Sequence, residues 1–552
     1  MKRIKITTLL PLAISCLGCV SCSLDKNAKT YRFNNLSNDF YIYKRYMRLY
    51  FPDQCNLPYV DVKSFVKDLN GLFLSDYISF NKDVTNHELS LSLPIAMIMM
   101  PTVTFNWEND TIYGDQNFFK YIASQSQTTD YEAHFQNDAS KSSVSEALPV
   151  LYKLRDYNFD IKYENGKVLI PLVIANMIFC SHNYYNIIFN GEQLYGVFNE
   201  VSDQAIINQI TTSKLNNTAI PEDIAKATLN SFNFAVDYYY GLKEVKDFSY
   251  AKDFFTSENQ ALLSSTSYKD HLDGINNIIF KEVNDLHSRV DFYSCYAPIG
   301  NSSKTLMPVS QRGNRWTEFY QVREQLNNLR GLVISPVRYS GDTAIITFDS
   351  FLTGDRVANN KPDSYKYDTF KFFQYVMSDI KNHSEVNDIL IDLSLNGGGN
   401  IAAMIRALGF ITDDNIYYYL TDTLTTSNTK AAFQVDTDGN GAYTGDAYTN
   451  YRWTVLSSLN TFSAANLFTS IFQNQNMGKV LGQTSGGGMC VVLPLVLADG
   501  TGFTLSGNMT FRKYSNGKLE PIEFGVEPDA RLDYQYFYND DKLVEAIDNL
   551  YR

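Results

Sequence analysis

From about residue 330 the chain alternates apolar runs of strand length with runs of helical spacing, and this alternation restricts the fold more than any other feature. Ala344-Ile345-Ile346-Thr347-Phe348 and Ile389-Leu390-Ile391-Asp392-Leu393 flank a helical pattern from Thr369 to Lys381, and Trp453 to Leu456 is followed by Ala464 to Phe472. A strand that is apolar along its whole length has to be covered on both faces. Strand–helix–strand order supplies the cover, so a parallel sheet is expected. At 552 residues the chain is too long for one core, and about two to four domains are expected. With 44% hydrophobic and 19% charged residues it reads as globular. A net charge of -13 without a basic stripe argues against a nucleic-acid partner.

Lys2, Arg3 and Lys5 precede an apolar run, Ile6 to Leu17, that is too short to span a bilayer as a mature helix. Leu17-Gly18-Cys19 and Val20-Ser21-Cys22 follow. The segment resembles a bacterial lipoprotein signal, which implies lipidation of Cys22 or Cys19. Cys16 or Cys19 then stands where an aliphatic residue is usual, and an ordinary cleaved secretory signal is the alternative. Either reading exports the protein. The lipoprotein reading anchors it to a bacterial membrane, facing the periplasm or the cell exterior. No later segment reads as a transmembrane helix. Cys55, Cys180, Cys295 and Cys490 are widely spread with no zinc spacing, and read as mostly buried single residues.

The expected organisation is a signal over 1–22, a polar tether over 23–38 and an α+β domain over 39–202. A helical subdomain over 203–300 and a catalytic-type α/β domain over 301–552 follow. In the α+β part, Leu57 to Val62 and Val168 to Val173 share a strand–proline–helix grammar, the first helix running to Phe73. Ile95 to Met100 and Tyr184 to Phe189 read as further strands. Pro221 opens a helix that continues through Tyr240.

The chemistry concentrates near the C-terminus. Trp453 to Leu456 runs into a polar turn, and Ser463 stands where the next helix begins. A serine there can be an N-cap, the commonest role of serine at a helix start. It can also be an acyl-transfer nucleophile, because the helix N–H groups behind it can hold the oxyanion it creates. Asp392-Leu393-Ser394-Leu395-Asn396-Gly397-Gly398-Gly399-Asn400 is a strand ending in glycines, without the Gly-Lys-Ser/Thr of a phosphate loop. Gly482-Gln483-Thr484-Ser485-Gly486-Gly487-Gly488 is a second glycine loop, and Asp285-Leu286-His287-Ser288 and Glu523-Phe524-Gly525-Val526-Glu527-Pro528-Asp529 complete the set.

In this order these segments resemble the C-terminal processing (tail-specific) serine peptidases over about residues 280 to 535. The resemblance implies a crotonase-like α/β core and endopeptidase activity on protein or peptide substrates, with no cofactor required for catalysis. One version of the family pairs serine with a lysine in the glycine loop. Here Gly488 stands at that place and Lys479 lies too early. The tricorn-like and chlamydial-factor-like version uses a distant histidine and a late glutamate, and implies Ser463 as nucleophile, His287 as base and Glu523 as its orienting carboxylate. The N–H groups of Ala464 and Gly398 would form the oxyanion hole. Glu520 and Glu527 rival Glu523, and His87, His134, His182, His271 and His383 rival His287; without the resemblance, His287 reads as a surface histidine at a helix end. Ser394 replaces a usual arginine and Asn466 a frequent glutamate, and no peptide-binding PDZ pattern precedes the core. A catalytically inactive peptidase-fold binding or scaffold lipoprotein of the cell envelope is the competing function.

Separately, Asp436-Thr437-Asp438-Gly439-Asn440-Gly441 begins like an EF-hand loop, so Asp436, Asp438 and Asn440 are candidate ligands for a structural calcium ion. Ala447 stands where the bidentate glutamate belongs, with Asp446 one place early. The alternative is a polar turn within an insertion.

Overall fold

The computed structural model describes residues 27–94, 101–198, 201–299, 307–332 and 335–552. The expected parallel sheet is formed by Thr343–Thr347, Asp388–Asp392, Arg452–Ser457 and Lys479–Gly482, adjacent in that order. Ala530–Arg531 extends it in parallel and Val337–Ser340 closes the other edge in antiparallel register. Side-chain alternation divides each strand between two apolar layers. Ile345, Leu390, Leu456 and Leu481 pack with Leu326, Leu543 and Ile547, from the helices Asn314–Arg330 and Asp540–Tyr551. Ala344, Ile346, Ile389, Ile391 and Val455 face the other layer, with Phe373 and Phe468 from the helices Thr369–Ile380 and Ala464–Asn474. The crossover helix is fixed at its start by Asp368, whose carboxylate accepts the Lys371 N–H.

A second sheet is organised by the long strand Gly502–Ser515, which pairs with Arg289–Phe292, Ile416–Asp422, Cys490–Val496 and Lys518–Pro521. Ser427–Val435 continues it beyond Ile416–Asp422, and on that strand lie Phe135–Asn137 and Ser143–Val144. Two short strands from the stretch read as the N-terminal domain therefore belong to the C-terminal sheet. The rest of that stretch forms a seven-stranded and a five-stranded sheet among the described residues, and the former also takes in Ala28–Asn35, so most of the described part of the segment expected as a polar tether is a paired strand. Both strand–proline–helix units sit in the former as antiparallel neighbours, Tyr59–Asp61 beside Lys167–Pro171. The first helix, Val62–Asp68, ends before the expected Phe73 because Asn70-Gly71 breaks it. The helix opened by Pro221 runs Glu222–Tyr239. Expected strand Ile95 to Met100, Cys19 and Cys22 lie outside the described residues. Cys180, Cys295 and Cys490 are buried and unpaired. Among the described residues no helix is long and apolar enough to cross a membrane. The architecture is mixed α/β with the parallel-sheet core in the C-terminal part, as expected.

Candidate active site

Ser463 stands at the C-terminal end of strand Arg452–Ser457, past a tight polar turn. The Thr461 hydroxyl donates to the Leu393 carbonyl (2.7 Å), and Phe462 N–H donates to the Asn396 carbonyl (3.1 Å), so the turn is tied to the first glycine loop. Ser463 N–H donates to the Gly487 carbonyl (2.8 Å), tying it to the second. Held from both sides, Ser463 adopts φ 58°, ψ -121°, a region that L-residues other than glycine occupy at a cost of about 1–3 kcal/mol. Its side chain makes no capping hydrogen bond to the helix it precedes. The N-cap role is therefore not what Ser463 does: a strained backbone presents an uncommitted hydroxyl, the geometry of a nucleophile on a strand-to-helix turn.

Gly398 lies directly beneath. A Cβ there would come within 2.7 Å of Ser463 Cβ and 2.9 Å of Ala464 N, and its φ is +104°, so only glycine fits. Ala464 is the first helical residue, so its N–H has no intrahelical partner and remains suited to an oxyanion. Gly398 departs from expectation. Its N–H donates to Asn396 Oδ1 (2.9 Å) and its carbonyl accepts from Phe351 N–H (2.8 Å), so the peptide is committed on both sides. The cause is Asn396, fully buried, whose amide also donates to the Phe348 carbonyl (3.1 Å) and whose oxygen has turned onto the glycine run.

His287 is buried against the same turn, not exposed at a helix end. Its ring lies 4.6 Å from that of Phe462, and a Cβ on Gly488 would be 3.1 Å from its Cε1. Glycine at 488 thus makes room for the Phe462 ring first and for the imidazole beside it. Asp285 shapes the segment that carries it: the buried carboxylate accepts the N–H groups of His287 and Ser288 and the hydroxyls of Ser288, Tyr240 and Ser506. Burial lowers the His287 pKa to about 4, with Asp285 opposing and Arg315 reinforcing the shift. Its Nε2 is buried without a partner, so in this structure no hydrogen bond joins it to Ser463.

Glu523 is the buried carboxylate of the three rivals. Glu520 pairs with Lys513 and Glu527 with Arg531, both on the surface. Glu523 Oε2 accepts Met489 N–H (2.9 Å) and Oε1 is paired with Arg315 Nη1, so the carboxylate is engaged by Arg315 rather than by the imidazole. Arg315 Nη2 also donates to the Glu523 carbonyl (3.0 Å). Burial raises the Glu523 pKa, opposed chiefly by Arg315. Asn466 stabilises this segment from the nucleophile helix, donating to the Ile522 carbonyl (2.9 Å) and accepting from the Ser485 hydroxyl (2.7 Å). Ser394 is buried between Asp392 and the Tyr538 hydroxyl.

Arg315 and Lys246 were not found from the sequence; neither sits in a spaced motif. Burial pushes the Lys246 amine below its ordinary pKa, and Asp285, Arg315 and Glu523 all act on it. Lys479 is exposed at the start of its strand, the end opposite the site. His271 is buried elsewhere beside Asp499, the half-buried His182 lies against Tyr239, and His383 stacks on Tyr339.

In the separate acidic loop, carboxylate oxygens of Asp436, Asp438 and Asp446 lie within 4.8 Å of one another. Asp446, one place early in the sequence, is brought in by the turn. Asn440 turns away, its Oδ1 accepting Ala442 N–H (2.6 Å) and its amide donating to Asp438 (3.0 Å).

Comparison with curated protein sequences finds no match. Among solved structures the chain is similar to the photosystem II D1 C-terminal processing protease (17% identity, TM-score 0.27, 37% of this chain and 50% of that one). It is also similar to a lipoprotein from Streptococcus agalactiae (15%, TM-score 0.35, 60% and 100%) and to mature CPAF (12%, TM-score 0.38, 58% and 96%). The chain thus spans half the length of the D1 processing protease, and at these scores the overlays carry no chemistry across. The sequence of residues 342–532, which holds Ser463, Glu523 and both glycine loops, matches the model of Peptidase family S41.

Proposed function

We propose that the protein is a lipid-anchored, extracytoplasmic serine endopeptidase that hydrolyses protein or peptide substrates through Ser463, His287 and Glu523. The observation that carries this reading is the strained Ser463, whose hydroxyl caps nothing and sits beside an unclaimed helical N–H. Ser463 Oγ attacks the scissile carbonyl, His287 takes its proton and returns it to the leaving amine, and the Ala464 N–H receives the oxyanion. Gly398 joins as second donor once Asn396 Oδ1 releases it. Glu523 orients and compensates the imidazolium once it exchanges Arg315 for His287. The competing reading, an inactive binding protein on a peptidase fold, is supported by the Arg315–Glu523 pair. A fluorophosphonate probe separates them: the peptidase reading expects labelling of wild type and none of Ser463→Ala, together with hydrolysis of an unfolded protein. An unlabelled, folded wild type would favour the scaffold.

The N-terminal segment supports lipidation at Cys22 or Cys19. Metabolic labelling with a palmitate analogue should tag the wild type and fail when both cysteines are replaced; an untagged wild type in the medium would mean a plain secretory signal.

We also propose a structural calcium ion at Asp436, Asp438 and Asp446, with Asn440 contributing only after a rotamer change. Burial raises the Asp446 pKa, and Asp438, Asp436 and Asp413 add to the shift, a repulsion that a cation would relieve. Millimolar calcium should raise the unfolding temperature of wild type and leave Asp438→Asn with Asp446→Asn unmoved. Equal responses would dismiss the site.

A further inference from the structure

Strands Ala28–Asn35 and Tyr46–Tyr50 pair with Arg32 opposite Tyr46 and Thr30 opposite Arg48. Their alternation sends Phe33, Met47 and Leu49 into the core and leaves Arg32, Tyr46 and Arg48 on the outer face. The connection between the strands borders the same face: Arg32, Tyr41, Tyr43, Lys44, Arg45 and Tyr46 line one open concavity of about 570 Å³. No aspartate or glutamate lines it. Lys44 is neutralised by Asp68 (2.6 Å), whereas among the described residues Arg32, Arg45 and Arg48 form no ion pair. Tyr41, Tyr43 and Tyr46 are 57%, 88% and 58% exposed.

These features select a partner. The chain as a whole carries a net charge of -13, so an anionic surface repels it except where the charge is locally reversed. Three arginines without carboxylates reverse it here. A tyrosine ring has an apolar body and a polar tip, which suits the head-group level of a bilayer. An acidic polypeptide would use the cations and leave the rings without a role. The place in the chain agrees with a membrane. Ala28 is six residues beyond Cys22 and nine beyond Cys19, so at most about 20–30 Å of extended chain separates this strand from either candidate lipid.

We propose that this tyrosine-rimmed basic face rests on the head groups of an anionic lipid bilayer and sets the orientation in which the protein sits on its membrane. The arginines meet the lipid phosphates, and the tyrosine rings lie at head-group depth. As a second attachment beside an N-terminal lipid it builds on the lipoprotein reading, but the face binds without that lipid, so the two fail separately.

The test is co-sedimentation with vesicles of the unlipidated chain from Ser23 onward, which both readings of the leader leave in the exported protein. It should bind phosphatidylcholine vesicles containing phosphatidylglycerol and leave pure phosphatidylcholine vesicles unbound, and binding should weaken as salt rises from about 0.1 M to about 1 M. Arg32→Gln with Arg45→Gln should weaken it about thirtyfold, about fivefold for each cation removed. Lys141→Gln with Lys518→Gln, the same loss of charge at exposed lysines beside the C-terminal sheet, should bind like wild type. Tyr41→Ser with Tyr43→Ser should also weaken binding, by the same factor at both salt concentrations. All of these side chains are exposed, so the variants keep the fold. No binding to the anionic vesicles, undiminished binding by the arginine or the tyrosine pair, an equal loss in the lysine pair, or binding to soluble polyglutamate in place of vesicles would each overturn the proposal.

Discussion

Ser463→Ala should lower kcat/KM on an unfolded protein substrate by at least about a thousandfold, because no other group supplies the attacking oxygen. Loss of activity alone would not separate a nucleophile from a structural serine; the backbone does. At φ 58° the alanine variant keeps the strain, whereas Ser463→Gly removes it. The glycine variant should therefore be equally inactive yet about 1 kcal/mol more stable than Ser463→Ala in urea unfolding. A serine kept for stability would give the opposite order, with both variants weaker than wild type. Retained activity in either variant would remove Ser463 from the mechanism.

The second large effect concerns acid. An exposed imidazole titrates near 6.5, but burial holds His287 at about 4. The unfolded chain therefore binds a proton on this residue between those values and the folded chain does not. This contribution is fully present above pH 6.5 and is lost as pH falls towards 4, amounting to about 3 kcal/mol. Urea unfolding of wild type should weaken across this window, and His287→Gln should lack that part of the slope. Superimposable pH dependences would contradict the burial. The acid limb of kcat/KM should likewise lie well below pH 6.5, since it reports the free enzyme's base. Burial pushes Glu523 upward as well, so its titration enters the same acid limb and the limb belongs to both groups.

The core was legible because continuous apolar runs mark the parallel strands, and a strand–turn–helix pattern places Ser463. His287 has no such local signature: read alone it is a surface histidine at a helix end, and only the resemblance singles it out. The choice of Glu523 over its neighbours needed burial, since Glu520 and Glu527 share its local chemistry. What stayed hidden is decided by contacts between distant segments. Arg315 is one arginine at the start of a polar helix until folding lays it on Glu523. Asn396 is part of a glycine-rich loop until its side-chain oxygen captures the Gly398 N–H. The strands Phe135–Asn137 and Ser143–Val144 are too short and polar to signal that they belong to a sheet built from residues near 430.

The ties of Asn466 to Ile522 and of Met489 and Arg315 to Glu523 also set an order in time. A polypeptide is made from its N-terminus, so the histidine, the first glycine loop and the serine all exist before the segment that completes the centre has been synthesised. On the peptidase reading, the segment around Ile522 and Glu523 is thus a late-arriving key: until it is made, the growing chain holds Ser463 without its finished surroundings.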